Sequence, residues 1–186
     1  TLISRCTKIF FPSLEEHLIK EHLIEEIKID NNNANLVSKI CCGDISLAID
    51  IAKNFDITIE NFNSVINLLF HYDMKKWQTF IKKFKNQEEI LDLLNLLELF
   101  FLDIIAYKEL QSDEKIRFIH LKDKMLDIKN KYDDSSLLLS IDMINNLKKC
   151  LKHNVYSSLL FSAFYLEINQ ALNQIKSKAT FSTHLI

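Results

Sequence analysis

Apolar residues recur every three or four positions along most of the chain, the spacing that places them on one face of an α-helix. Short groups of Asn, Asp and Ser, which are typical of turns and helix starts, separate the segments that have this spacing. The predicted helices cover 13–28, 34–42, 45–54, 58–71, 73–84, 86–110, 112–131, 133–152 and 154–175. The pattern therefore predicts an all-α fold.

The predicted helices are short in the first third of the chain and longer afterwards, which predicts two helical domains. Residues 1–12 are expected to form a short extended segment that ends at Pro12. A small three-helix domain follows at 13–57, and a helical bundle follows at 58–175. The periodicity is lost at 176–186, which is expected to be a tail.

Three local signals set the expected helix ends in the small domain. Ser13 and Glu16 have the spacing of a capping box, in which both side chains satisfy free amides at a helix start. The polar run at 30–33 is expected to end the first helix. Gly43 is expected to end the second helix, because glycine adopts the left-handed conformation without steric cost.

Composition agrees with the helical prediction and argues against several classes of protein. The chain has one glycine and one proline, whereas hairpins and bulges of a sheet-rich fold need several. The net charge of −2 gives no general attraction to nucleic acid or to anionic lipid. The most apolar stretch, 90–107, contains Asp92, Asn95, Glu98 and Asp103, so it is predicted to be a buried helix and not a membrane span.

The four cysteines, Cys6, Cys41, Cys42 and Cys150, do not form a C-x-x-C pair. The adjacent pair lacks the usual spacing for zinc ligands. The start of the chain does not have the basic and apolar regions of a secretory signal. These features predict reduced thiols in a cytoplasmic protein.

Motifs of catalysis are absent: the sequence has no glycine-rich phosphate loop, no nucleophile elbow and no zinc-protease motif. His17 and Glu21 lie one helical turn apart and have the spacing of a metal pair, but a solvated helix face is favoured. A second candidate is a phosphate-binding cluster formed by the lysines at positions 75, 76, 82, 83 and 85. The favoured interpretation is again a solvated face, opposite an apolar face formed by Trp77, Phe80, Ile81 and Phe84.

One set of motifs follows a recognisable order. Thr1-Leu2-Ile3-Ser4-Arg5-Cys6 precedes an aromatic segment and Pro12, and Gly43-Asp44-Ile45-Ser46-Leu47-Ala48-Ile49 follows in the small domain. The chain resembles clamp-loader ATPase-like subunits, which carry a T-I-x-S-R-C segment, a three-helix lid with a G-S-x-x-x-A-L motif, and a helical collar. In the collar, Leu102-Asp103 with Lys108 is similar to the R-D-x-x-x-x-K stretch, and Asn154-Val155 with Leu159 is similar to N-V-N-x-x-L.

The resemblance covers residues 1–175 and departs from the family at Leu102, Tyr156 and Ser162. It implies that residues 1–12 end an ATPase-like core, that 13–57 is the lid and that 58–175 is the collar through which subunits oligomerise. It also implies a nucleotide-binding core encoded upstream of Thr1. The chain alone is expected to have no ATPase activity and to need no cofactor or metal.

The lid motif bears on the type of subunit. ATP-binding members have an arginine at the position of Ser46, and this sequence has no Lys or Arg between Gly43 and Asp50. The resemblance is therefore to delta-prime-type subunits of the bacterial DNA polymerase III clamp loader. It implies that Arg5 is a trans-acting arginine finger for a neighbour's ATP site, with Ser4 and Cys6 as structural neighbours.

The implied partners are other clamp-loader subunits in a hetero-oligomeric ring, where other subunits hydrolyse ATP. The sliding clamp and primer–template DNA would be reached only through this DNA replication complex. An exposed apolar patch is expected on the last two collar helices, with Leu147, Leu151, Leu159 and Phe164 as candidates.

Three alternatives stay open. The chain also fits a gamma/tau-type subunit with a degraded lid, or a helical adaptor that binds a protein through an apolar groove and has no nucleotide role. For Arg5 taken without the family context, a surface salt bridge is the alternative role. For Asp103 the favoured interpretation is a satisfied polar residue in a buried helix.

Overall fold

The computed structural model describes residues 12–84, 87–113, 116–151 and 157–172. Within these ranges all regular secondary structure is helical, which confirms the predicted all-α fold. The chain forms two units, Thr1–Asp56 and Ile57–Ile186. The sequence placed a domain boundary at residue 57.

Unit 1 contains three short helices. They are α1 (Glu16–His22), which continues into a π-helical turn (Leu23–Ile27), α2 (Asn31–Ile40) and α3 (Ile45–Lys53). Helix α1 packs against α2, and α2 packs against α3. The three helices share a small apolar core, whose buried members include Ile19, Leu23, Ala34, Val37, Ile40, Ala48 and Ile51.

Two of the predicted helix starts in unit 1 are wrong. Helix α1 begins after Glu15, which makes no side-chain cap hydrogen bond, so Ser13 and Glu16 do not form a capping box. Helix α2 begins inside the polar run, because the Asp30 carboxylate accepts hydrogen bonds from the backbone N–H groups of Asn32 at 2.9 Å and Asn33 at 3.1 Å. Aspartate is a strong N-cap residue, and it therefore starts a helix here.

Gly43 has a φ of +91°, which confirms the predicted left-handed conformation. Helix α2 itself ends at Ile40, and Cys42 is left-handed as well, with a φ of 50°. A Cβ atom on residue 43 would lie 2.5 Å from the Cβ atom of Ser13. The Gly43 carbonyl also accepts a hydrogen bond from the Leu14 N–H at 3.1 Å, so the glycine joins the chain ahead of α1 to the turn after α2.

Unit 2 contains longer helices. They are α4 (Phe55–Phe70), which begins just before the unit boundary, α5 (Met74–Ile81), α6 (Gln87–Leu110), a 3₁₀ turn (Ile119–Leu121), α7 (Lys122–Lys131), α8 (Asp134–Leu151) and α9 (Ser157–Leu172). Helix α6 packs against α7 and α8, and α9 packs against α8 and α5. Helix α8 therefore lies against both α6 and α9.

Aromatic rings fill the centre of unit 2. Phe62 of α4 and Phe100 of α6 pack edge to face with ring centroids 5.8 Å apart. Phe118, which precedes the 3₁₀ turn, lies 4.9 Å from Phe62 and 5.8 Å from Phe100. All three side chains are fully buried. Such contacts between aromatic rings each add about 0.5–1.5 kcal/mol beyond the burial of area.

No helix among the described residues is long and apolar enough to cross a membrane.

Glu98 joins α6 to α8 through two polar partners. Its carboxylate forms an ion pair with Lys148 and accepts a hydrogen bond from the Asn145 amide at 2.9 Å. Burial by itself raises the pKa of the Glu98 carboxyl, but the Lys148 ammonium and the Asn145 amide outweigh burial and hold this pKa below its usual range. The folded state therefore favours the charged form of Glu98.

Replacing Glu98 with glutamine is expected to lower the free energy of unfolding at pH 7 by about 1–2 kcal/mol, because a charge-assisted link between α6 and α8 is lost. A carboxyl whose folded pKa is depressed stabilises the fold above its unfolded pKa of about 4.3, and this stabilisation is lost as pH falls through the folded value. Urea unfolding at pH 7 and at pH 3 measures the difference, which should shrink at the lower pH. The exposed Glu109→Gln on the same helix is the control, and an E98Q effect that is equal at both pH values would contradict the prediction.

Candidate functional site

The predicted finger residue and its neighbours, Arg5, Ser4 and Cys6, lie outside the described residues. The same holds for the predicted tail at 176–186 and for Asn154 and Val155 of the last collar motif. The candidate site residues that the structure does describe belong to the lid motif in unit 1 and to the collar motifs in unit 2.

The lid motif forms the start of α3. The Asp44 carboxylate caps this helix by accepting a hydrogen bond from the Leu47 N–H at 3.1 Å. Ser46 lies in the first turn and is exposed. Ala48 is fully buried in the core of unit 1, so the two ends of the motif have different environments.

The start of α3 therefore offers little to a phosphate group. The N-terminus of a helix attracts anions, but here the Asp44 carboxylate already occupies one of the free amides and adds a negative charge. Ser46 supplies one neutral hydroxyl, whereas an arginine would supply a charged, two-pronged donor.

Asp103 is the most deeply buried charged residue of the collar motifs, with a side chain that is 0% exposed. Its carboxylate accepts hydrogen bonds from the backbone N–H groups of Arg117 at 2.7 Å and Phe118 at 3.2 Å. The Arg117 guanidinium also forms an ion pair with it. These contacts confirm the interpretation of Asp103 as a satisfied polar residue.

The partners of Asp103 explain an error in the predicted helices. A helix was predicted from residue 112, but α7 begins at Lys122. Arg117 and Phe118 lie in the irregular chain before the 3₁₀ turn, where their amides have no helical acceptor and use the Asp103 carboxylate instead. Burial raises the pKa of the Asp103 carboxyl, while the amides and the Arg117 charge oppose this rise.

Lys108 and Leu102, the other residues of this motif, have different roles. The Lys108 ammonium forms an ion pair with Asp134 and donates a hydrogen bond to the Tyr132 carbonyl at 3.0 Å. These contacts tie the end of α6 to the start of α8. Leu102 is exposed, whereas the adjacent Asp103 is buried.

The predicted apolar patch is wrong for three of its four residues. Leu147, Leu151 and Phe164 are buried, and Leu159 alone is exposed, at 69%. Leu147 and Leu151 continue the buried stripe of α8, which recurs at intervals of three and four residues and faces the core. The exposed apolar residues of the last two helices are instead Leu138, Leu139, Leu159 and Leu166.

The structure describes His17 and four of the five candidate lysines. His17 is largely exposed, and its Nδ1 atom lies 3.2 Å from the Glu15 carboxylate. Across the described ranges no group of three or more His, Cys, Asp or Glu side chains has a metal-binding arrangement. On α5, Trp77, Phe80 and Ile81 are buried, which confirms the apolar face for these three residues, whereas Phe84 lies beyond the helix and is half-buried. The candidate lysines 75, 76, 82 and 83 are exposed, and Lys85 lies outside the described residues.

The described cysteines, Cys41, Cys42 and Cys150, are free thiols. Cys41 is buried, and burial raises the pKa of its thiol. A raised pKa leaves less thiolate at neutral pH, so Cys41 has the character of a core residue and not of a nucleophile.

Two features of unit 2 were not predicted from the sequence. One is Arg117, whose partner lies 14 positions earlier on another element; the rarity of arginine in this chain was the available signal. The other is Tyr165, whose hydroxyl accepts a hydrogen bond from the Asp73 N–H at 2.8 Å and donates one to the Leu68 carbonyl at 2.9 Å. No sequence spacing indicates that contact.

Comparison of the chain with protein-family models and with curated proteins finds no match to either. The similarity to clamp-loader subunits therefore depends on the sequence motifs quoted above.

Proposed function

We propose that this chain is the lid and collar part of a delta-prime-type clamp-loader subunit, which acts in the cytoplasm and helps to assemble the ring that loads sliding clamps for DNA replication. The observation that carries the proposal is the order of the two units. A unit of three short helices with the Gly43 motif precedes a unit of longer helices, which is the order of lid and collar in the family that the motifs resemble.

The start of α3 supports the delta-prime type over the gamma/tau type. Ser46 is exposed where ATP-binding members carry an arginine, and Asp44 places a carboxylate at the helix start. Both features disfavour a phosphate at this position. The proposed subunit therefore does not close its own lid on ATP and contributes Arg5 to a neighbour's site.

Exposed leucines support assembly through the collar. Leu159 and Leu166 are seven residues apart on α9, so they lie on the same side of that helix. Leu138 and Leu139 add exposed apolar area on α8, which packs against α9. Exposed apolar residues on adjacent elements are typical of a protein interface.

Co-purification of the full-length gene product with its ring partners tests the proposal. The wild-type protein is expected to enter the ring, and Leu159→Glu/Leu166→Glu is expected to prevent entry, whereas the exposed Leu110→Glu serves as the matched control.

Titration of the isolated full-length protein with Mg-ATP should show no micromolar binding. Micromolar binding would favour the gamma/tau type, and a folded wild-type protein that joins no ring would favour the helical adaptor.

A further inference from the structure

A cleft in unit 2 lies between the last turns of α4 and helix α7, and residues of both helices line it. Its volume is about 150 Å³, and it is partly open to solvent. An apolar cavity of about this volume accommodates one benzene ring, whereas sites for larger ligands have about 300–1,000 Å³. The cleft therefore has room for one ring and not for a nucleotide.

Apolar side chains form much of the lining. Ile66 and Phe70 lie one turn apart on α4, and Ile128 of α7 lies one turn before Tyr132. Ile66, Ile128 and Tyr132 are buried, and Phe70 is half-buried. The rings of Phe70 and Tyr132 lie 5.6 Å apart between centroids. Two aromatic rings among aliphatic side chains favour an aromatic group as the occupant.

Two lysines of α7 line the same cleft. The Lys124 ammonium donates a hydrogen bond to the Asn67 amide oxygen of α4 at 3.0 Å. The Lys131 ammonium lies 5.1 Å from the centroid of the Tyr132 ring. Both of these partners are uncharged, and an ammonium group has three donors. Lys124 therefore keeps donors for an anionic acceptor while Asn67 holds it in place.

The charged groups of the lining favour an anion. Lys124 and Lys131 stand against the single carboxylate of Asp127, and the remaining polar residues of the lining are Asn67 and His71. Lys124 lies in the first turn of α7 and Lys131 lies in the last turn. The helix dipole favours a negative charge at the first turn and disfavours it at the last. Lys124 is therefore the better placed of the two lysines to bind an anion.

We infer that this cleft is a binding site for a small aromatic carboxylate with one ring. The ring lies against Ile66, Phe70 and Ile128, and the carboxylate pairs with the Lys124 ammonium. An apolar lining with a few polar groups that fix the orientation of the ligand is typical of small-molecule sites. The inference is independent of the proposed function, because it concerns a cleft within unit 2 and not the place of the chain in a ring.

Three ligands that share one ring test the preference for a carboxylate. Phenylacetate is expected to bind the full chain with a dissociation constant on the order of 1 mM, measured by NMR titration. Benzyl alcohol lacks the charge and should bind about 5- to 20-fold more weakly, and benzylamine, which carries the opposite charge, should bind no better than benzyl alcohol. Equal affinity for all three, or a preference for benzylamine, would overturn the inference.

The isoleucine methyl signals locate the bound ring in the same titration. The signals of Ile66 and Ile128, assigned with Ile66→Val and Ile128→Val, should shift as phenylacetate is added. Ile57 of the same helix α4 is 64% exposed and is not part of the lining, so its signal is the control and should stay in place. Binding that leaves the signals of Ile66 and Ile128 unmoved would show that the ligand occupies another part of the protein.

Replacement of Lys124 tests the ion pair. Lys124→Gln should weaken phenylacetate binding by about 5- to 20-fold and leave the affinity for benzyl alcohol within about twofold. Lys149→Gln removes an exposed lysine of α8, so it has the same net charge and should bind both ligands like wild type. The methyl spectrum without ligand shows that each variant is folded. Loss of affinity for both ligands in Lys124→Gln, or for phenylacetate in both variants, would contradict the ion pair.

A peptide separates a free acid from an acidic segment of a protein. An acetylated and amidated tripeptide with phenylalanine between two glutamates presents the same ring and carboxylates on a backbone. Because the cleft has room for one ring, this peptide should bind no more tightly than phenylacetate. Binding of the peptide at least about tenfold tighter, with the same methyl shifts, would overturn the free acid as the ligand and identify a docking site for acidic protein segments.

Discussion

Replacement of Asp103 with alanine is expected to lower the free energy of unfolding of unit 2 by about 3–5 kcal/mol, the cost of removing one partner from a buried ion pair. The carboxylate accepts two backbone N–H groups and pairs with the Arg117 guanidinium. Its removal leaves all three donors without this acceptor. Phe118, whose amide is one of these donors, is fully buried and packs against both Phe62 and Phe100, so the loss also loosens the aromatic core.

Urea unfolding followed by tryptophan fluorescence measures this effect. Trp77 is the single tryptophan of the chain and is fully buried in unit 2, so its signal reports on that unit. Glu109→Ala removes an exposed acid from the same helix and should stay within about 0.5 kcal/mol of wild type. Asp103→Asn keeps one acceptor oxygen and should fall between the two. An Asp103→Ala protein within 1 kcal/mol of wild type would contradict this assignment.

Asp103 also shows what the sequence could predict. Its position within an apolar helical run indicated a buried residue, and the helical period indicated the fold class, because both depend on residues that are neighbours along one helix. The apolar face of α5 and the burial of α6 were predicted for the same reason. The left-handed conformation of Gly43 was predicted because glycine adopts it without steric cost and needs no contact with another element to do so.

The sequence could not predict contacts made between elements. The amides of Arg117 and Phe118 find their acceptor on α6, so the helix predicted from residue 112 does not form there. Leu147 and Leu151 were expected in an exposed patch because the resembled family oligomerises through its collar, whereas both continue the apolar stripe of α8 and are buried. The stack of Tyr72, Tyr165 and Trp77 joins residues more than 80 positions apart, and no local pattern encodes it.

The two arginines of the chain, Arg5 and Arg117, stand out against 21 lysines. The Arg117 guanidinium has a defined structural role, because it forms an ion pair with the fully buried carboxylate of Asp103. Guanidinium is planar, always charged and able to hold two oxygens at once, which lysine is not. In a chain that otherwise uses lysine, this supports a specific role for the second arginine, Arg5, in the Ser4-Arg5-Cys6 motif.

If Arg5 is the proposed trans-acting finger, Arg5→Ala in the full-length protein should reduce ATP hydrolysis at one interface of the assembled ring by about 10³–10⁵-fold. That factor corresponds to about 4–7 kcal/mol of activation free energy, because each tenfold change in rate is 1.36 kcal/mol. An exposed salt bridge contributes only about 0–1 kcal/mol, and its loss would not change hydrolysis. The two roles of Arg5 therefore predict results that differ by orders of magnitude.

Single-turnover hydrolysis by rings reconstituted with wild-type, Arg5→Ala or Arg5→Lys protein measures this difference. Size-exclusion chromatography first establishes that each variant enters the ring. Entry is expected because an arginine finger contacts the neighbour's nucleotide and does not stabilise the fold of its own chain. Arg5→Lys retains the charge but loses two-pronged contact, so its rate should recover in part. Unaltered hydrolysis and clamp loading by a correctly assembled Arg5→Ala ring would exclude the finger and leave the salt bridge as the role of Arg5.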